Sequence, residues 1–466
     1  MLLIRCSARY GAKSDVAFDT EMSDPSRQFD LVLLGASGSV GNVMAQYFAA
    51  QLPSTTRWAI AGRAGTPSTP GRPKLKRRTT ATVLNELNTD NPPSLVYADA
   101  EDPDSMNNMA RLTTVLVTTV GPYTEYGEAA VRACVEEGTH YVDITGEAFW
   151  VQEMRDKYGE AAKAKGVCIV SFAGYDCVPF EMSAYLAHRA LSTTNNTQLV
   201  SAESLTTLSG GLPRGTLLTC VGMPGLGLLR VNTNWMRYLP STERLSFARD
   251  VLLWALPWWS YQSGGLTIPE GMGMVACTIV HHSAPKLGYP NLRYNSRTDV
   301  LGSSIAFCQI SGTIWATLLS GLFFLGLLPT LSMYVLVMPL SLPFALLGFP
   351  LLLLPPTRNM ALKFIGTYLN YGGDANTTLI VRTRAKGANG SVCNVRLELP
   401  GDPGIHATAV CCAETALALL DALRSAKTGG APPLPAGFTT PAHAVGDALA
   451  ARLKAVKGAC IETVCA

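Results

Sequence analysis

The chain has 466 residues, of which 48% are apolar and 15% are charged, so it has enough material for two or three folded domains. This length and apolar content exclude a peptide hormone, a disulfide-stapled miniature and a globally disordered chain. The formal net charge of +3, from 37 basic and 34 acidic residues, supplies no general attraction for phosphate backbones, and we therefore expect no nucleic acid partner.

Cysteine and histidine spacing bears on metal sites and on disulfide bonds. The twelve cysteines are scattered without a CxxC pair, and no histidine lies at the spacing of a zinc finger. We therefore expect no metal ion, no disulfide framework and a reducing compartment. Residues 1–28 are predicted to be a flexible N-terminal extension. Their Arg and Ser content leaves a mitochondrial location as an alternative to the cytosol.

Residues 29–174 are predicted to alternate strands with helices. The segment FDLVLLGASGSVGNVMAQYFAAQL, which begins at Phe29, runs from an apolar strand through a glycine-rich turn into a helix. Further strands are predicted over residues 58–61, 95–97, 113–120, 141–144 and 167–172. Helices, the first of them capped by Asp102, are predicted over residues 103–111, 126–137 and 149–165. Such alternation predicts an α/β fold with a Rossmann-type doubly wound parallel sheet.

The glycine-rich turn spells GxxGxxG between a strand and a helix. Glycines at these places let backbone N–H groups approach a pyrophosphate at the N-terminus of the helix. We therefore predict dinucleotide contacts from Gly35, Ser37, Gly38, Ser39 and Val40. The alternative is a tight turn that only packs the helix on the strand.

Three other strand ends suggest how the rest of a dinucleotide would bind. Arg63 follows the second strand, where an NAD-binding protein carries an acidic residue for the ribose. A guanidinium there suits a 2′-phosphate, so NADP is favoured over NAD. Asp99, after the third strand, could accept a hydrogen bond from adenine or could cap a helix. We expect Val120, Gly121 and Pro122, which end the fourth strand, on the nicotinamide side of the crevice.

Side chains that could transfer a proton follow the fourth, fifth and sixth strands. These titratable candidates are Tyr123, Asp143, Glu147, Tyr175 and Asp176. The carboxyl ends of parallel strands meet at one rim of a sheet, so we expect these residues at the crevice. We select Tyr123, Tyr175 and Asp176 as candidate catalytic residues. Helix caps and loop hydrogen bonds are the alternative explanation for the acidic members.

Five segments in chain order resemble one family of enzymes. GASGSVG, AGR, VGPYTEYGE, GTHYVDITGE and GYDCVPFE are similar to segments of the saccharopine dehydrogenase-like oxidoreductases, which include the trans-acting enoyl reductases of lipid synthesis. Within residues 429–466, AGFTTPAHAVGDALAARL resembles the family's closing segment. The resemblance covers nearly the whole chain and implies a Rossmann NAD(P) domain, an inserted second α/β domain and a C-terminal segment that packs back on the first domain. Resemblance to true saccharopine enzymes is mainly in the nucleotide half.

The second predicted domain, residues 175–428, contains a long uncharged block. No Asp, Glu, Lys or Arg occurs over the 58 positions from Val300 to Thr357. A span of roughly 20 residues already crosses a bilayer core, so the block is long enough for two arms. Pro329 lies near its middle, and we predict a re-entrant apolar membrane hairpin over residues 300–357.

Basic residues flank this block on both sides. Arg293 and Arg297 precede it, and Arg358 and Lys363 follow it, which fits a hairpin whose two ends lie on the cytosolic side. The expected partner of the hairpin is a lipid monolayer or a membrane. One alternative is that the block forms the buried core of the second domain. Another is that its helices lie at the interface of a homo-oligomer.

Taken together, the motifs and the block predict a membrane- or lipid-droplet-associated NADP-dependent oxidoreductase. Its substrate is expected to be a lipid-linked enoyl or carbonyl compound, or another small molecule. The family resemblance implies the droplet location, since animal relatives are placed on lipid droplets. Two other functions stay open. One is a nucleotide-binding lipid-droplet scaffold without turnover, and the other is a soluble saccharopine-type amino-acid dehydrogenase.

Overall fold

The computed structural model describes residues 26–63, 79–210, 237–254, 258–260, 265–270, 272–299, 302–303, 355–368, 373–427, 429–430 and 433–466. Contacts within the chain define two units. The first unit extends to Tyr185 and resumes from Ile405 to Ile461. The second unit contains Leu186–Gly404 and Glu462–Ala466.

Strands and helices are numbered in chain order. The strands are β1 (Phe29–Leu34), β2 (Trp58–Gly62), β3 (Ser94–Tyr97), β4 (Thr113–Thr118), β5 (His140–Asp143), β6 (Cys168–Val170), β7 (Leu199–Thr207), β8 (Trp258–Ser260), β9 (Gly265–Pro269), β10 (Arg293–Asp299), β11 (Thr378–Gly387), β12 (Val392–Pro400), β13 (Gly437–Thr439) and β14 (Cys460–Cys465). The helices are α1 (Ser39–Gln51), α2 (Thr80–Glu86), α3 (Pro103–Arg111), α4 (Tyr123–Glu137), α5 (Ala148–Ala164), α6 (Val178–Thr194), α7 (Arg244–Trp254), α8 (Gly273–Ser283), α9 (Pro355–Tyr368), α10 (Thr408–Lys427) and α11 (Pro441–Ala455).

A parallel sheet organises the first unit. Its strand order is β13-β6-β5-β4-β1-β2-β3, and each neighbouring pair is parallel. The central strand β1 is apolar except for Asp30 and is buried at all six positions, as expected for a strand covered on both faces. This architecture confirms the predicted Rossmann-type α/β fold.

The chain reverses its direction across the sheet between β1 and β4. From β1 it proceeds outward to β2 and β3, and it then returns to β4 on the other side of β1 before it continues to β5 and β6. Val32 of β1 pairs with Ala59 of β2 and with Leu116 of β4. Such a switch point leaves a crevice at the carboxyl ends of the two strands, where ligands of doubly wound sheets bind.

The C-terminal part of the first unit supplies β13, α10 and α11. β13 extends the parallel sheet beside β6. Arg452 of α11 donates from Nε to Glu414 of α10 at 2.6 Å, and both side chains are buried. Helix α10 therefore belongs to the first unit, whereas the sequence analysis had placed residues up to 428 in the second domain. The difference arises because α10 packs on α1 and α11. Helix α1 is remote from α10 in the chain, so the sequence does not show this contact.

One helical segment of the described chain, Pro403–Lys427, is long and apolar enough to cross a membrane by length and composition. This segment includes α10 and the π-helical turn before it. In its most apolar window, 89% is buried inside the protein. That burial is typical of a core helix. The predicted hairpin is a different segment, and apart from 302–303 and 355–357 it lies outside the described residues.

The second unit contains a mixed sheet with the order β14-β12-β11-β7-β10-β9-β8. β7 and β10 are parallel, and the β11–β12 hairpin is antiparallel. Along β11 and most of β12 buried positions alternate with more exposed ones, which indicates that one face packs inward and the other faces solvent. The observed second α/β domain confirms that part of the predicted fold.

Strand β12 is joined to β14 by a disulfide bond between Cys393 and Cys465. The scattered cysteines were expected to form no disulfide framework, and this pair contradicts that expectation. The two residues are 72 positions apart in the chain, a separation that carries no recognisable spacing. Only the pairing of the two strands brings their Cβ atoms within bonding reach.

Candidate dinucleotide and proton-transfer site

The glycine-rich turn begins at the residue that follows β1. Gly35 has a φ of +96°, a conformation that favours glycine. A Cβ atom on Gly35 would lie 2.8 Å from Thr119 Oγ1 and 2.9 Å from Val120 Cγ2, so the turn packs tightly against the end of β4. The backbone N–H of Thr119 donates to the carbonyl oxygen of Leu34 at 3.0 Å. The sequence analysis did not identify Thr119, which lay inside a predicted strand.

The other two glycines of the motif have different roles. A Cβ atom on Gly41 would lie 2.2 Å from the carbonyl oxygen of Gly35, so glycine is required there by the packing of α1 on the turn. Gly38 has an ordinary φ of −77° and is exposed, and the nearest atom to a Cβ there is the Gly35 carbonyl oxygen at 3.4 Å. The packing of the protein therefore does not require glycine at this position, and the predicted contact of Gly38 with a pyrophosphate stays a prediction.

Helix α1 starts at Ser39 with its N-terminus open to solvent. Gly38 is the N-cap, no side chain caps the helix, and no acidic residue lies in its first turn. The first N–H groups of a helix have no acceptor within the helix, and the helix dipole places partial positive charge there. Ser37, Gly38 and Ser39 are exposed around this end, and Val40 is half-buried. These residues fit the pyrophosphate of a dinucleotide.

Arg63 and Asp99 lie at the ends of neighbouring strands. Arg63 follows β2 and is exposed, and residues 64–78 lie outside the described chain. Asp99 follows β3, and its Oδ1 accepts the backbone N–H of Glu101 at 3.1 Å. Asp99 therefore stabilises its own loop, and the helix cap that was its alternative role belongs to Asp102, the N-cap of α3. The proposed contacts with a 2′-phosphate and with adenine stay predictions.

The segment after β4 leads from the crevice into α4. The Val120 N–H donates to Thr118 Oγ1 at 3.2 Å, Gly121 is exposed, and Pro122 is the N-cap of α4. A Cβ atom on Gly121 would have no contact shorter than 3.7 Å. The carboxyl end of β4 therefore leaves space on the side where the nicotinamide was expected.

Glu147 caps helix α4 from outside the helix. Its Oε1 accepts the backbone N–H of Tyr123 at 3.1 Å, and its Oε2 accepts that of Thr124 at 3.0 Å. Burial raises the pKa of Glu147, although these hydrogen bonds oppose that shift. Helix α4 begins at Tyr123, three residues before the predicted start. Glu147 is thus a capping residue, as the structural alternative held.

Tyr123 is buried, and its hydroxyl is used by the backbone. The hydroxyl donates to the carbonyl oxygen of Thr118 at 2.9 Å and accepts the N–H of Ile144 at 3.3 Å. Burial, followed by the nearby charge of Asp143, raises its pKa well above the ordinary range. These bonds tie the end of β4 to the end of β5. They argue against the expected role of Tyr123 as proton donor.

Asp143 is fully buried at the end of β5 and accepts three hydrogen bonds. Its Oδ1 accepts the N–H groups of Thr145 and Phe172, each at 3.1 Å, and its Oδ2 accepts from Ser171 Oγ at 3.0 Å. Burial raises the pKa of Asp143 to about 6. The carboxylate therefore joins the ends of β5 and β6.

Tyr175 lies in the turn after β6 and is 2% exposed. Its N–H donates to Thr408 Oγ1 at 3.2 Å, and its ring contacts that of Phe180 with centroids 5.7 Å apart. Tyr175 is therefore a core residue. Thr408, at the start of α10, was missed by the sequence analysis, because nothing in the chain relates it to a residue 233 positions away.

Asp176 differs from the other acidic candidates at the crevice. It is partly exposed, and its carboxylate makes no hydrogen bond with the described residues. Loss of hydration raises its pKa to about 7. A carboxyl group with such a pKa can both give and take a proton near neutral pH. Of the three predicted catalytic residues, Asp176 is the one whose side chain is partly exposed, and its catalytic role stays a prediction.

Comparison with known proteins relates this site to a family. Residues 31–170 match the model of the saccharopine dehydrogenase NADP binding domain, which confirms NADP as the expected cofactor. A structure of apo saccharopine dehydrogenase (L-Glu forming) from Saccharomyces cerevisiae superposes with a TM-score of 0.50 at 13% identity. The superposition covers 94% of this chain and 100% of that one, and it shows a shared fold.

Several curated proteins are similar in sequence. A Bos taurus saccharopine dehydrogenase-like oxidoreductase is 34% identical over 201 residues, 42% of this chain and 44% of that protein. A Mycobacterium leprae trans-acting enoyl reductase is 35% identical over 182 residues, 39% of this chain and 41% of that protein. A Caenorhabditis elegans lipid droplet localized protein is 35% identical over 156 residues, 33% of this chain and 35% of that protein.

The aligned segments thus span less than half the length of these three relatives. A relative from Mycobacterium tuberculosis aligns over 454 residues at 29% identity, which is 93% of this chain and 97% of its own. These matches confirm the resemblance seen in the motifs. Residues 31–170 thus match a saccharopine dehydrogenase NADP-binding domain, and the chain is similar to saccharopine dehydrogenase-like oxidoreductases and trans-acting enoyl reductases.

Proposed function

We propose that this protein is a lipid-associated NADP-dependent oxidoreductase that reduces a lipid-linked enoyl or carbonyl substrate. The open turn around Gly38 would hold the pyrophosphate, Arg63 the 2′-phosphate, and Val120 to Pro122 would line the nicotinamide side. The bound cofactor would supply the hydride. Asp176 would donate the proton that completes the reduction. The observation that carries this role is the partly exposed carboxyl group of Asp176 after β6, which has no hydrogen bond among the described residues; loss of hydration also raises its pKa to about 7.

The proposed substrate class draws on the relatives. The enoyl reductase name belongs to the Mycobacterium leprae protein, and the lipid droplet name belongs to the Caenorhabditis elegans protein. Reduction of an enoyl group adds a hydride to one carbon and a proton to its neighbour, so one acid beside the cofactor is sufficient. The uncharged block supports the lipid partner, because 58 uncharged positions exposed to water would favour aggregation.

An assay with purified full-length protein tests the activity. We would identify the nucleotide and lipid that copurify by mass spectrometry, and then follow NADPH oxidation with enoyl and ketone forms of that lipid. Asp176→Asn should lower turnover about 10²- to 10⁴-fold, because it removes the proton donor. Its affinity for NADPH should not change. Full turnover by Asp176→Asn would refute the acid assignment, and no turnover by the wild type with any such lipid would favour the scaffold function.

A further inference from the structure

The turn that carries Asp176 contains a strained residue held by Asp143. Phe172 follows β6 and has a φ of +68°, a conformation that residues with a side chain rarely adopt. Its N–H donates to Asp143 Oδ1 at 3.1 Å, and the N–H of Ala173 donates to the carbonyl oxygen of Asp143 at 2.8 Å. The side chain and the backbone of one aspartate therefore hold two successive residues.

The other end of the turn is held by Thr408. Its Oγ1 accepts the N–H of Tyr175 at 3.2 Å. Gly174 packs between Thr408 and Ile144. A Cβ atom on Gly174 would be 3.3 Å from Thr408 Cγ2 and 3.5 Å from Ile144 Cβ. Residues 172–175 are thus fastened at both ends, and Asp176 is the next residue along the chain.

We propose that Asp143 and Thr408 are positioning residues, which together hold the 172–175 turn so that it presents the Asp176 carboxyl group in its poorly hydrated place. Asp143 was a titratable candidate for acid or base catalysis, and this assignment gives it a different role. The carboxylate of Asp143 is occupied by Thr145, Phe172 and Ser171, whereas Asp176 is left to exchange its proton with substrate. The inference rests on the proposed function of Asp176.

The chemistry of asparagine separates positioning from proton transfer. In Asp143→Asn, the amide oxygen can still accept the N–H groups of Thr145 and Phe172, and the amide nitrogen can donate to Ser171 Oγ. Asp143→Ala removes all three bonds. A positioning role is therefore rescued by asparagine, whereas an acid or base role is lost in both variants.

The test measures Asp176 directly and needs no substrate. Infrared spectra of each protein are recorded from pH 4 to pH 9, and the spectra of its Asp176→Asn counterpart are subtracted, so that the carboxyl band of Asp176 alone remains. Hydrogen exchange of the peptide around Phe172 is measured by mass spectrometry on the same proteins. Melting temperature and NADPH affinity serve as controls for folding.

We expect wild type and Asp143→Asn to give the same midpoint, near the pKa of about 7. In Asp143→Ala the midpoint should fall toward the ordinary aspartate value of about 3.9, and the Phe172 amide should exchange about tenfold faster. An unchanged midpoint in Asp143→Ala would overturn the proposal. So would an Asp143→Asn protein that behaves like Asp143→Ala.

Thr408 supplies a second test if Asp143→Ala does not fold. Thr408→Val has the same shape but cannot accept the N–H of Tyr175, whereas Thr408→Ser can. We expect a lowered midpoint in the valine variant and the wild-type midpoint in the serine variant, and equal midpoints would overturn the proposal. Turnover separates the positioning role of Asp143 and Thr408 from the proposed role of Asp176 as proton donor. If Asp176→Asn is fully active while the midpoints change as expected, the positioning role stands and the proposed acid does not.

Discussion

Glu147, in the loop after β5, accepts the backbone N–H of Tyr123, the first residue of α4, and so caps that helix. Glu147 is 3% exposed and its second oxygen accepts the next N–H of α4, from Thr124. The pair fixes where α4 starts and therefore where Val120 to Pro122 lie at the crevice.

We expect Glu147→Ala to destabilise the protein by about 2 kcal/mol, because two N–H groups lose their acceptor in a buried place. Glu147→Gln keeps one acceptor oxygen and should cost about half as much. Urea unfolding of the three proteins measures the difference. Equal stability of the wild type and Glu147→Ala would show that water replaces the cap.

A matched pair of glycine substitutions tests the nucleotide site. Gly38→Val should abolish NADPH binding while the melting temperature stays at the wild-type value, because the new side chain meets little of the protein but occupies the place of the pyrophosphate. Gly41→Ala should instead lower the melting temperature, since its Cβ would lie 2.2 Å from the Gly35 carbonyl oxygen. Calorimetric titration and thermal unfolding measure both. NADPH binding by a folded Gly38→Val protein would contradict the site.

Arg63 should determine the preference between the two dinucleotides. We expect the wild type to bind NADPH more tightly than NADH, and Arg63→Ala to lose most of that preference. One charge-assisted hydrogen bond to phosphate contributes about 1.5 to 3 kcal/mol, or roughly ten- to a hundredfold in affinity. Calorimetric titration of both proteins with both dinucleotides is the measurement. Equal affinities in the wild type would contradict the role of Arg63.

His281 in the second unit should make stability depend on pH. It is fully buried, with Nδ1 3.6 Å from Glu243 Oε2 and Nε2 3.4 Å from Asp250 Oδ2. Burial alone lowers the pKa of His281, but the nearby carboxylates of Asp250 and Glu243 outweigh it and raise the pKa. Arg249 also faces this cluster, through Asp250 Oδ1 at 2.9 Å.

Because the folded pKa is raised, the stabilisation by His281 is fully present below its unfolded pKa of about 6.5 and is lost as pH rises through the folded value. Wild type should therefore be more stable than His281→Gln at pH 6, and the difference should shrink as the pH increases. Unfolding of the two proteins across this range checks the sign. A difference that grows with pH would contradict a protonated His281.

Deletion of residues 305–354 tests the uncharged block. If the block inserts into lipid, the shortened protein should leave the membrane or droplet fraction and still bind NADPH, because the first unit buries its own core. If the block is instead the core of the second domain, the deletion should unfold that domain. Full-length protein that stays in a high-speed supernatant without detergent would contradict lipid insertion.

The alternation of apolar strands with helices, and the glycines between β1 and α1, predicted the part of the first unit within residues 29–174 from sequence alone. These signals are local, because a strand, a turn and a helix each depend on neighbours a few residues apart. The same reasoning reached the strand ends and named Asp143, Glu147 and Asp176 as candidate acids. It could not say which carboxyl group would remain available for chemistry.

Only the tertiary structure decided that question. Asp143 meets Phe172 across 29 positions, Glu147 meets Tyr123 across 24, and Thr408 meets Tyr175 across 233. Each partner satisfies a buried polar group that would otherwise cost free energy, so packing decides which carboxylates stabilise the fold. Tertiary structure also decided the disulfide bond, since Cys393 and Cys465 approach each other because β12 and β14 pair. Asp176 has no such partner among the described residues, and this is why we propose it as the proton donor.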